Sequence, residues 1–418
     1  MESKPYILYT WKLYLLVILI GFLVFFLYVD NAQQIMSYYS SATNDMVTRF
    51  KSIPSIISIN PSNFTLNDME KMKTESRKKC NMFEGRWVYN PEEIPSYESV
   101  RCPFVEEKMS CKNNGRPDLE YQKWRWQARD CDIPLFNGTY MLERLRNKRM
   151  ILVGDSLNRN MWQSLACLLY FSVPSTAAKV QEKRNYKTIW KAKEYNFTLE
   201  FYWSPFLVEL KDNHESGKKV LVLDNISTNS KKWIGADIMV FNSGHWWDQR
   251  GRFKAWELFE YKGKLMKGMP IELAYAHGLK TWARWIEKNV DSKKTTVLFR
   301  SISAPHKFPQ YDQWCYNKTQ LIMDESYVPV FPKSMVNVVE NVLSLISKIQ
   351  VKYLNITKLT EYRIDAHPSL YRFKDLNTLT EKYDNNLKNY ADCTHWCLPG
   401  VPDTWNRLLY ALIFFDTL

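Results

Sequence analysis

The 418-residue sequence lacks the short motifs that mark several large enzyme classes. It has no HExxH zinc motif, no Walker phosphate-binding loop and no dinucleotide-binding glycine pattern, which argues against metal-dependent and nucleotide-dependent chemistry. It also has no CxxC zinc pairing, no internal repeat and no low-complexity tract. We therefore expect a globular protein that binds no metal and no resident cofactor.

Cysteine is present as an even set that lies entirely beyond the N-terminal apolar segment. With no zinc pairing, this set favours disulfides formed in an oxidising compartment. Cys167 lies on an apolar helix face and could instead be a buried free thiol, and the sequence does not choose among the connectivities. The candidates are Cys80, Cys102, Cys111, Cys131, Cys167, Cys315, Cys393 and Cys397.

The N-terminus carries an apolar run at residues 13–29 that contains no charged residue. Lys4 and Lys12 precede it and Asp30 follows it, which predicts a cytosolic tail at 1–12 and a lumenal body. The run is short for a membrane span and suits the thinner membranes of the early secretory pathway. No small-x-small cleavage site follows it, so we expect an uncleaved single-pass type II anchor rather than a signal peptide.

Charge and glycosylation sequons bear on the partners of this lumenal body. The net charge of +13 would suggest nucleic acid in the cytosol, but a lumenal address removes that partner and leaves an acidic polysaccharide as the more sensible one. Candidate N-glycosylation sites occur at Asn63, Asn137, Asn196, Asn225, Asn317 and Asn355.

The predicted lumenal part divides into three segments that differ in amino-acid composition. Residues 30–78 are rich in Ser, Asn and Thr and are predicted to form a stem. Residues 79–139 hold four cysteines among Trp and Arg residues and are predicted to form a small lobe stapled by disulfides. These Trp and Arg residues could pack the lobe against the main domain or form a sugar-binding surface. Residues 140–418 are predicted to be the catalytic domain.

The catalytic domain alternates short apolar runs with amphipathic stretches, which predicts an α/β fold with a mostly parallel sheet covered on both faces. Strands are predicted at 148–153, 220–223, 238–241 and 296–299, and helices at 157–171, 273–290, 334–350 and 408–415.

Ser156 follows the first of these strands and opens a helix within Val153-Gly154-Asp155-Ser156-Leu157. Free amides at a helix N-terminus favour negative charge, which suits a nucleophilic serine and an adjacent oxyanion. The same pattern also fits a serine that only caps the helix. Asp155 is interpreted as a turn residue rather than as a catalytic acid.

His395 is the predicted general base, because Asp392 stands three residues before it in a loop that Cys393 and Cys397 flank. Such a carboxylate can fix the imidazole tautomer, as a nucleophile, base and acid triad requires. His367, with Asp365 nearby, is the competing base.

Candidates for oxyanion or substrate contacts lie near these residues. Asn242 and His245 stand in the loop after a predicted strand, where the Asn242 amide could donate to an oxyanion or merely form an Asn-Ser-Gly turn. Gly154 stands two residues before the serine, and Arg159 and Asn160, one turn beyond it, could face the site or the solvent. A glycosidase carboxylate pair is not excluded by the sequence.

Several cysteine-anchored blocks in this order resemble the plant trichome birefringence-like proteins, which are related to the SGNH/GDSL esterases. The resemblance runs from about residue 80 to the C-terminus. Its blocks lie at 80–88, 114–118, 124–126, 154–160 and 392–406, the last reading Asp-Cys-x-His-Trp-Cys-Leu-Pro-Gly-x-Pro-Asp-x-Trp-Asn. The segments at 241–247 and 301–306 look like the branch tied to powdery mildew resistance and pectin, and Asn90 departs from the acidic residue expected there.

The resemblance implies an SGNH-like domain in a Golgi type II membrane protein that places O-acetyl groups on cell-wall polysaccharide. It places Ser156, Asp392 and His395 at the positions of the family's triad. The expected acceptor is polysaccharide, with pectin favoured over xylan or xyloglucan, and an acetyl donor is required, either acetyl-CoA or another carrier, with a donor membrane protein as a further partner. The alternatives are an acetylesterase with the same triad and a non-catalytic pectin-binding protein.

Overall fold

The computed structural model describes residues 80–415 except 174–177, 185–186, 250, 308–313, 325–332 and 376–386. The predicted tail, anchor and stem, together with Asn63, lie outside these residues. Within the described part of the chain, no helix is both long enough and apolar enough to cross a membrane.

Strands and helices alternate through most of the described chain. The strands are β1 (Gly85–Tyr89), β2 (Trp124–Ala128), β3 (Arg149–Gly154), β4 (Ala178–Arg184), β5 (Lys187–Ala192), β6 (Phe197–Trp203), β7 (Val208–Lys211), β8 (Val220–Ile226), β9 (Ile238–Phe241), β10 (Leu258–Tyr261), β11 (Lys264–Met266), β12 (Thr296–Arg300) and β13 (Val351–Leu354). The helices are α1 (Gly138–Arg144), α2 (Ser156–Tyr170), α3 (Ile271–Asn289), α4 (Lys333–Ser344), α5 (Thr357–Glu361) and α6 (Val401–Phe414).

The largest sheet has seven strands in the order β13-β12-β9-β3-β6-β5-β4. The five strands from β13 to β6 pair in parallel, whereas β5 and β4 continue the sheet antiparallel. The carboxyl ends of β3, β9 and β12 therefore meet at one edge, where α/β proteins place their ligands and reacting groups.

The α/β prediction is confirmed, with a more mixed sheet architecture than expected. The predicted strand at 238–241 coincides with β9, and those at 148–153 and 296–299 match β3 and β12 within one residue at each end. The predicted strand at 220–223 is part of β8, but β8 belongs to a separate mixed sheet of order β11-β10-β8-β7. The prediction of a mostly parallel sheet holds for the seven-stranded sheet, in which the five strands from β13 to β6 are parallel, but it did not include this second sheet.

The central strands β3, β9 and β12 of the main sheet are buried on both faces, as their apolar sequences predict. Alternating side chains of β3 point to opposite sides, with Met150 and Leu152 in one hydrophobic cluster and Ile151 and Val153 in the other. Helices α2 and α6 and the N-terminal lobe contribute to the first cluster, and α3, α4 and the second sheet contribute to the other.

Two predicted helices have different ends in the structure. The helix expected at 334–350 ends at Ser344, and β13 begins at Val351. The helix expected at 408–415 begins at Val401, where Pro402 stands in the first turn and the Asp403 side chain accepts from the Gly400 amide at 2.7 Å. Proline in the first helical turn is favourable because its missing amide hydrogen has no partner there anyway.

The N-terminal lobe is attached to the catalytic domain by covalent bonds. Four disulfides account for the cysteines: Cys80–Cys131, Cys102–Cys167, Cys111–Cys397 and Cys315–Cys393. The first lies inside the lobe, and the second and third join it to α2 and to the segment that precedes α6. The alternative of a free thiol at Cys167 was therefore wrong.

The tryptophans of the lobe mainly pack it in place. Trp87 and Trp126 face each other across β1 and β2, are nearly buried, and lie edge to face at 5.7 Å between ring centroids. The Trp87 indole N–H donates to the Leu359 carbonyl at 2.8 Å, which ties β1 to α5. These contacts support the packing interpretation for these two residues.

Five of the six sequons lie in the described chain. Asn137, Asn196, Asn225 and Asn317 are exposed, whereas Asn355 is half-buried. The first four therefore satisfy the exposure that glycosylation requires, and their modification stays a prediction.

Candidate active site

The structure brings Ser156, His395 and Asp392 into one hydrogen-bonded row. His395 Nε2 lies 2.7 Å from Ser156 Oγ, and His395 Nδ1 lies 2.8 Å from Asp392 Oδ2. Ser156 is the first residue of α2 and comes directly after the strand and turn of β3. Nucleophile, base and carboxylate thus stand in the order that nucleophilic catalysis needs.

Asp155, rather than Ser156, caps α2. The Asp155 carboxylate accepts from the Leu157 amide at 3.0 Å, so the hydroxyl of Ser156 is not used as the cap. The interpretation of Ser156 as a simple helix cap was therefore wrong, and its hydroxyl instead contacts His395.

Asp392 is fixed in its loop and held in the charged form. Its Oδ1 accepts from the backbone amides of Thr394 and His395, each at 3.0 Å. Burial opposes the charge, but His395 and, at 3.8 Å, the Arg372 guanidinium hold the pKa of Asp392 well below its ordinary value. The carboxylate can therefore orient the imidazole and stabilise an imidazolium.

Asn160 holds the loop at residues 392–398, hereafter the catalytic loop, against α2. Its Oδ1 accepts from the Trp396 amide at 2.9 Å and its Nδ2 donates to the Trp396 carbonyl at 3.2 Å. Because both ends of this buried amide contact the residue after His395, the structure places Asn160 as a support of the base rather than at the oxyanion.

Asn242 lies directly beside the nucleophile turn. Its Nδ2 donates to Asp155 Oδ1 at 2.9 Å, and its Oδ1 accepts from the Asp155 amide at 3.2 Å. Gly154 makes this contact possible, because it has a φ of 157° and an added Cβ would lie 1.8 Å from Asn242 Oδ1. Asn242 is therefore held by two hydrogen bonds, which leaves the second hydrogen of its amide nitrogen for another acceptor.

The buried side chain of Arg300 lies close to the turn that carries Asp155 and contacts α2 through Asn158. Arg300, at the end of β12, is fully buried, and its Nη2 lies 4.0 Å from Asp155 Oδ1. Its Nε donates to Asn158 Oδ1 at 3.3 Å, and Asn158 in turn donates to the carbonyls of Val153 and Val240. These bonds connect the ends of β3, β9 and β12 beneath the nucleophile.

Two further predicted substrate residues, Arg159 and His245, are half-buried. The Arg159 guanidinium lies over the rings of Phe201 and Trp203, at 5.0 and 5.1 Å from their centroids, and is 27% exposed. His245 is half-buried, and burial lowers its pKa to about 4, so it is neutral at neutral pH.

His367, the competing base, supports the catalytic loop instead. Its ring stacks on Trp396 at 4.1 Å between centroids, and its Nδ1 lies 2.6 Å from the His395 carbonyl oxygen. Its other nitrogen meets His306, a residue that the sequence did not single out as functional.

No group of three or more His, Cys, Asp or Glu side chains in the described residues could hold a metal ion. The described site brings together a serine hydroxyl, an imidazole and a carboxylate, the set of groups that nucleophilic acyl transfer uses.

Two family models match the chain. The PC-Esterase model, described as the GDSL/SGNH-like acyl-esterase family found in Pmr5 and Cas1p, covers residues 133–412, and the PMR5 N-terminal domain covers residues 78–132. The boundary between the two lies after the last cysteine of the lobe.

Curated plant proteins are similar over most of the chain. "Probable xylan O-acetyltransferase 10" of Oryza sativa subsp. japonica is 43% identical over 347 residues, or 80% of this chain and 78% of that protein. "Protein trichome birefringence-like 34" of Arabidopsis thaliana is 39% identical, covering 81% of this chain and 86% of that protein. "Protein trichome birefringence-like 1" of the same plant is 40% identical over 82% of this chain, which spans only 63% of that longer relative.

Proposed function

This chain belongs to the trichome birefringence-like family of PC-esterase proteins, and from that premise we propose that it is an O-acetyltransferase acting on plant cell-wall polysaccharides. The names of similar proteins support acetyl transfer to xylan. The observation that carries the proposal is the continuous row from Asp392 through His395 to Ser156.

The reaction proceeds in two half-reactions. His395 Nε2 accepts the proton of Ser156 Oγ while the oxygen attacks the acetyl carbonyl carbon of the donor, and Asp392 stabilises the imidazolium. The bond to the donor's leaving group breaks, the leaving group takes the proton from His395, and an acetyl ester remains on Ser156. An acceptor hydroxyl then gives its proton to His395 and attacks the ester; the bond to Ser156 Oγ breaks, His395 returns the proton to Ser156 Oγ, and the acceptor leaves with the acetyl group.

The tetrahedral intermediate of each half-reaction carries a negative oxygen that needs hydrogen-bond donors. The Ser156 amide at the N-terminus of α2 and the second amide hydrogen of Asn242 are the proposed donors. The two bonds between Asn242 and Asp155 fix the orientation of this amide before substrate arrives. A pre-oriented donor does not have to rearrange as the charge develops, so the reaction does not incur the free energy of reorganising it.

An esterase with the same triad would use water in the second half-reaction. Transfer therefore requires that the sugar hydroxyl occupy the site and exclude water from the acetyl-enzyme. The names of similar proteins favour transfer over hydrolysis. Polysaccharide binding alone would not require the row of hydrogen bonds from Asp392 through His395 to Ser156.

Two observations favour different acceptors. Similar proteins are named for xylan, whereas the net charge of +13 favours an acidic polysaccharide such as pectin. We include both as acceptors, with xylan as the first candidate and pectin as the second. The donor is acetyl-CoA or another acetyl carrier.

The proposed location is the Golgi lumen, with the chain anchored by residues 13–29 as a single-pass type II membrane protein. Four disulfides support an oxidising compartment, because such bonds are rare in the cytosol. An epitope at each end of the full chain and protease protection of sealed microsomes would test the orientation, which predicts a protected C-terminus and a digested N-terminus.

The activity test uses the full-length chain, acetyl-CoA and deacetylated oligomers of xylan or homogalacturonan. Mass spectrometry of the oligomers is expected to show added acetyl groups with the wild type and none with Ser156→Ala. Release of free acetate without acetylated oligomer would support the esterase. Polysaccharide binding without either product, from folded protein, would support the binding role.

A further inference from the structure

His306 and His367 form a buried pair beside the catalytic loop. They are 2% and 1% exposed, and His306 Nδ1 lies 2.7 Å from His367 Nε2. Neither ring contacts Ser156 in the observed hydrogen bonds. The pair has no part in the two proposed half-reactions, and its role is therefore a separate question.

Each outer nitrogen of the pair faces a backbone carbonyl oxygen. His367 Nδ1 lies 2.6 Å from the carbonyl oxygen of His395, and His306 Nε2 lies 2.8 Å from that of Glu361. A carbonyl oxygen can only accept, so each outer nitrogen must carry a hydrogen to make its bond. The inner contact between the two rings needs one more hydrogen, on either of its nitrogens.

Two neutral imidazoles carry only two N–H hydrogens, one fewer than these three contacts require. We propose that His306 and His367 share a third proton, so that the pair carries one positive charge and positions the catalytic loop for His395. This inference rests on the proposed role of His395 as the base. Protonation and deprotonation of the pair form or break an N–H bond only, and solvent supplies or receives the proton.

Burial and hydrogen bonding act on the third proton in opposite directions. Burial lowers the pKa of His306 to about 4 and the pKa of His367 well below its ordinary value. The three contacts, between the two rings and from each ring to its carbonyl oxygen, are all 2.8 Å or shorter. Without the third proton, one of these contacts would bring two lone pairs together with no hydrogen between them. Such a contact leaves buried acceptors without donors, whereas the protonated pair gains charge-assisted bonds.

The surroundings contain charges of both signs. Among the described residues, the charged and titratable groups near the pair are Asp365, Asp392, Arg363, Arg116, Glu361, Lys307 and His395. Asp365 favours a proton on His306, and Asp392 favours one on His367, whereas a charged His395 opposes it. Arg363 partly offsets Asp365, because the two form an ion pair at 2.9 Å.

Both histidines touch the catalytic loop at points that flank the base. The His306 amide donates to the Cys393 carbonyl at 2.9 Å. The His367 ring stacks on Trp396 and contacts the His395 carbonyl. Loss of the third proton would force at least one ring to turn away from its partner, and the displacement would reach His395 through these contacts.

The predicted pH dependence follows from this coupling. Reaction at Ser156 is predicted to fall as the pH rises through the apparent pKa of the pair, because the proton that holds the loop is lost. His306 and His367 are in this account positioning residues and give the profile its alkaline limb.

The proton is counted directly in the full-length chain with 15N-labelled histidine, without substrate. The chain has six histidines, and the resonances of the pair are assigned with His306→Gln and His367→Gln. Ring nitrogens with and without hydrogen differ widely in 15N shift. Three protonated nitrogens on the pair at neutral pH are expected, and two would overturn the proposal.

The coupling is measured by the rate at which a fluorophosphonate modifies Ser156 as a function of pH. His306→Gln offers amide donors that do not titrate, so we expect the alkaline limb to disappear and the maximal rate to fall by about tenfold. His277→Gln, a change of the same kind on α3 where His277 stacks on Tyr261, is the control and should keep the limb.

An unchanged alkaline limb in His306→Gln, or a wild type without one, would overturn the positioning role. If the wild-type Ser156 does not react at any pH, the proposed triad mechanism fails instead, and the nitrogen count still decides whether the pair shares a proton. Should His306→Gln not fold, His367→Gln replaces it, since its amide can donate to the same carbonyl.

Discussion

At the scale of single residues, the site depends on a few side chains that each hold another in place. Asp392 accepts three hydrogen bonds from two residues, Thr394 and His395, and so fixes both the position and the tautomer of His395. Gly154 leaves room for Asn242, and Asn242 and Asp155 hold each other. Substitution of Asp392 should therefore disturb the base His395, whereas substitution of Gly154 should disturb the proposed oxyanion donor Asn242.

Asp392→Asn is expected to lower kcat by about 10⁴-fold, because an amide no longer fixes the reactive tautomer of His395. Acetyl transfer under saturating acceptor measures this. Asp224→Asn, on β8 in the second sheet, changes the same charge and should leave kcat within about twofold of the wild type, as surface substitutions usually do. Equal activity of Asp392→Asn and wild type would exclude the triad.

The pH dependence of stability follows from the lowered pKa of Asp392. The folded protein holds this carboxylate charged at pH values where the unfolded chain, with a pKa near 4, takes up a proton. The stabilisation is thus present above about pH 4 and lost as the pH falls below it. Denaturant unfolding should show that the difference in free energy of unfolding between the wild type and Asp392→Asn becomes smaller as the pH falls below about 4. A difference that does not change with pH would contradict this.

Gly154→Ala is expected to abolish Ser156 reactivity or lower it by about 10²–10³-fold, because the new methyl group displaces Asn242 from the proposed oxyanion site. Gly268→Ala is the matched control, since an added Cβ there meets nothing within 4 Å. The rate of fluorophosphonate labelling compares the two. Similar rates would show that the contact between Gly154 and Asn242 does not shape the site.

At the scale of elements, α2 is the connection between the nucleophile and the base. It begins with Ser156 and, one turn later, presents Asn160, which binds the catalytic loop through both ends of its amide. The helix therefore sets the distance between Ser156 and His395, which lie 239 positions apart in the sequence.

Asn160→Ala should lower kcat by about 10²-fold, because a small displacement of the base is costly to reaction geometry. Asn406→Ala is the matched control, since Asn406 is also a fully buried amide that bonds to α2 but does not touch the catalytic loop. Both variants should lower Tm, and only Asn160→Ala should lose activity. Equal activity losses would assign Asn160 a merely structural role.

The sequence predicted individual elements better than their partners. The run Ile-Met-Val-Phe at β9 is apolar throughout and bounded by polar residues, so its limits could be read directly. The separate sheet of β8 could not, because the apolar pattern of a strand does not tell which other strands it pairs with, here β7 and β10. In the site, Asp392 and His395 were recognisable by their spacing. The roles of Asn160 and Arg300 were not, because their partners lie 236 and 142 positions away in the sequence. The role of His306 was not recognisable either, because its ring bonds to the backbone carbonyl of Glu361.

At the scale of the whole molecule, disulfides join the lobe and the catalytic loop into one unit. Cys111–Cys397 spans 286 positions and ends within the catalytic loop, and Cys315–Cys393 fixes the loop on the other side of His395. The oxidation state of the chain should therefore affect activity as well as stability.

Replacing Cys111 and Cys397 together by Ser is expected to cost about 3–5 kcal/mol of stability and to reduce the activity of the remaining folded protein. The matched control replaces Cys80 and Cys131, whose bond lies inside the lobe, and should reduce stability with little change in kcat. Denaturant unfolding and transfer assays on both variants measure this. Unchanged kcat in the first variant would contradict the coupling.

Acetyl groups are proposed to pass through Ser156 to a polysaccharide hydroxyl. Peptide mass spectrometry tests this on the full-length chain, with one sample quenched after brief incubation with acetyl-CoA or 4-nitrophenyl acetate and others quenched during a chase with xylan oligomers. We expect one acetyl group on the peptide that contains Ser156, its loss during the chase, and matching acetylated oligomer. Acetylated oligomer formed at the wild-type rate by Ser156→Ala, or with no acetyl-enzyme at any time, would contradict it.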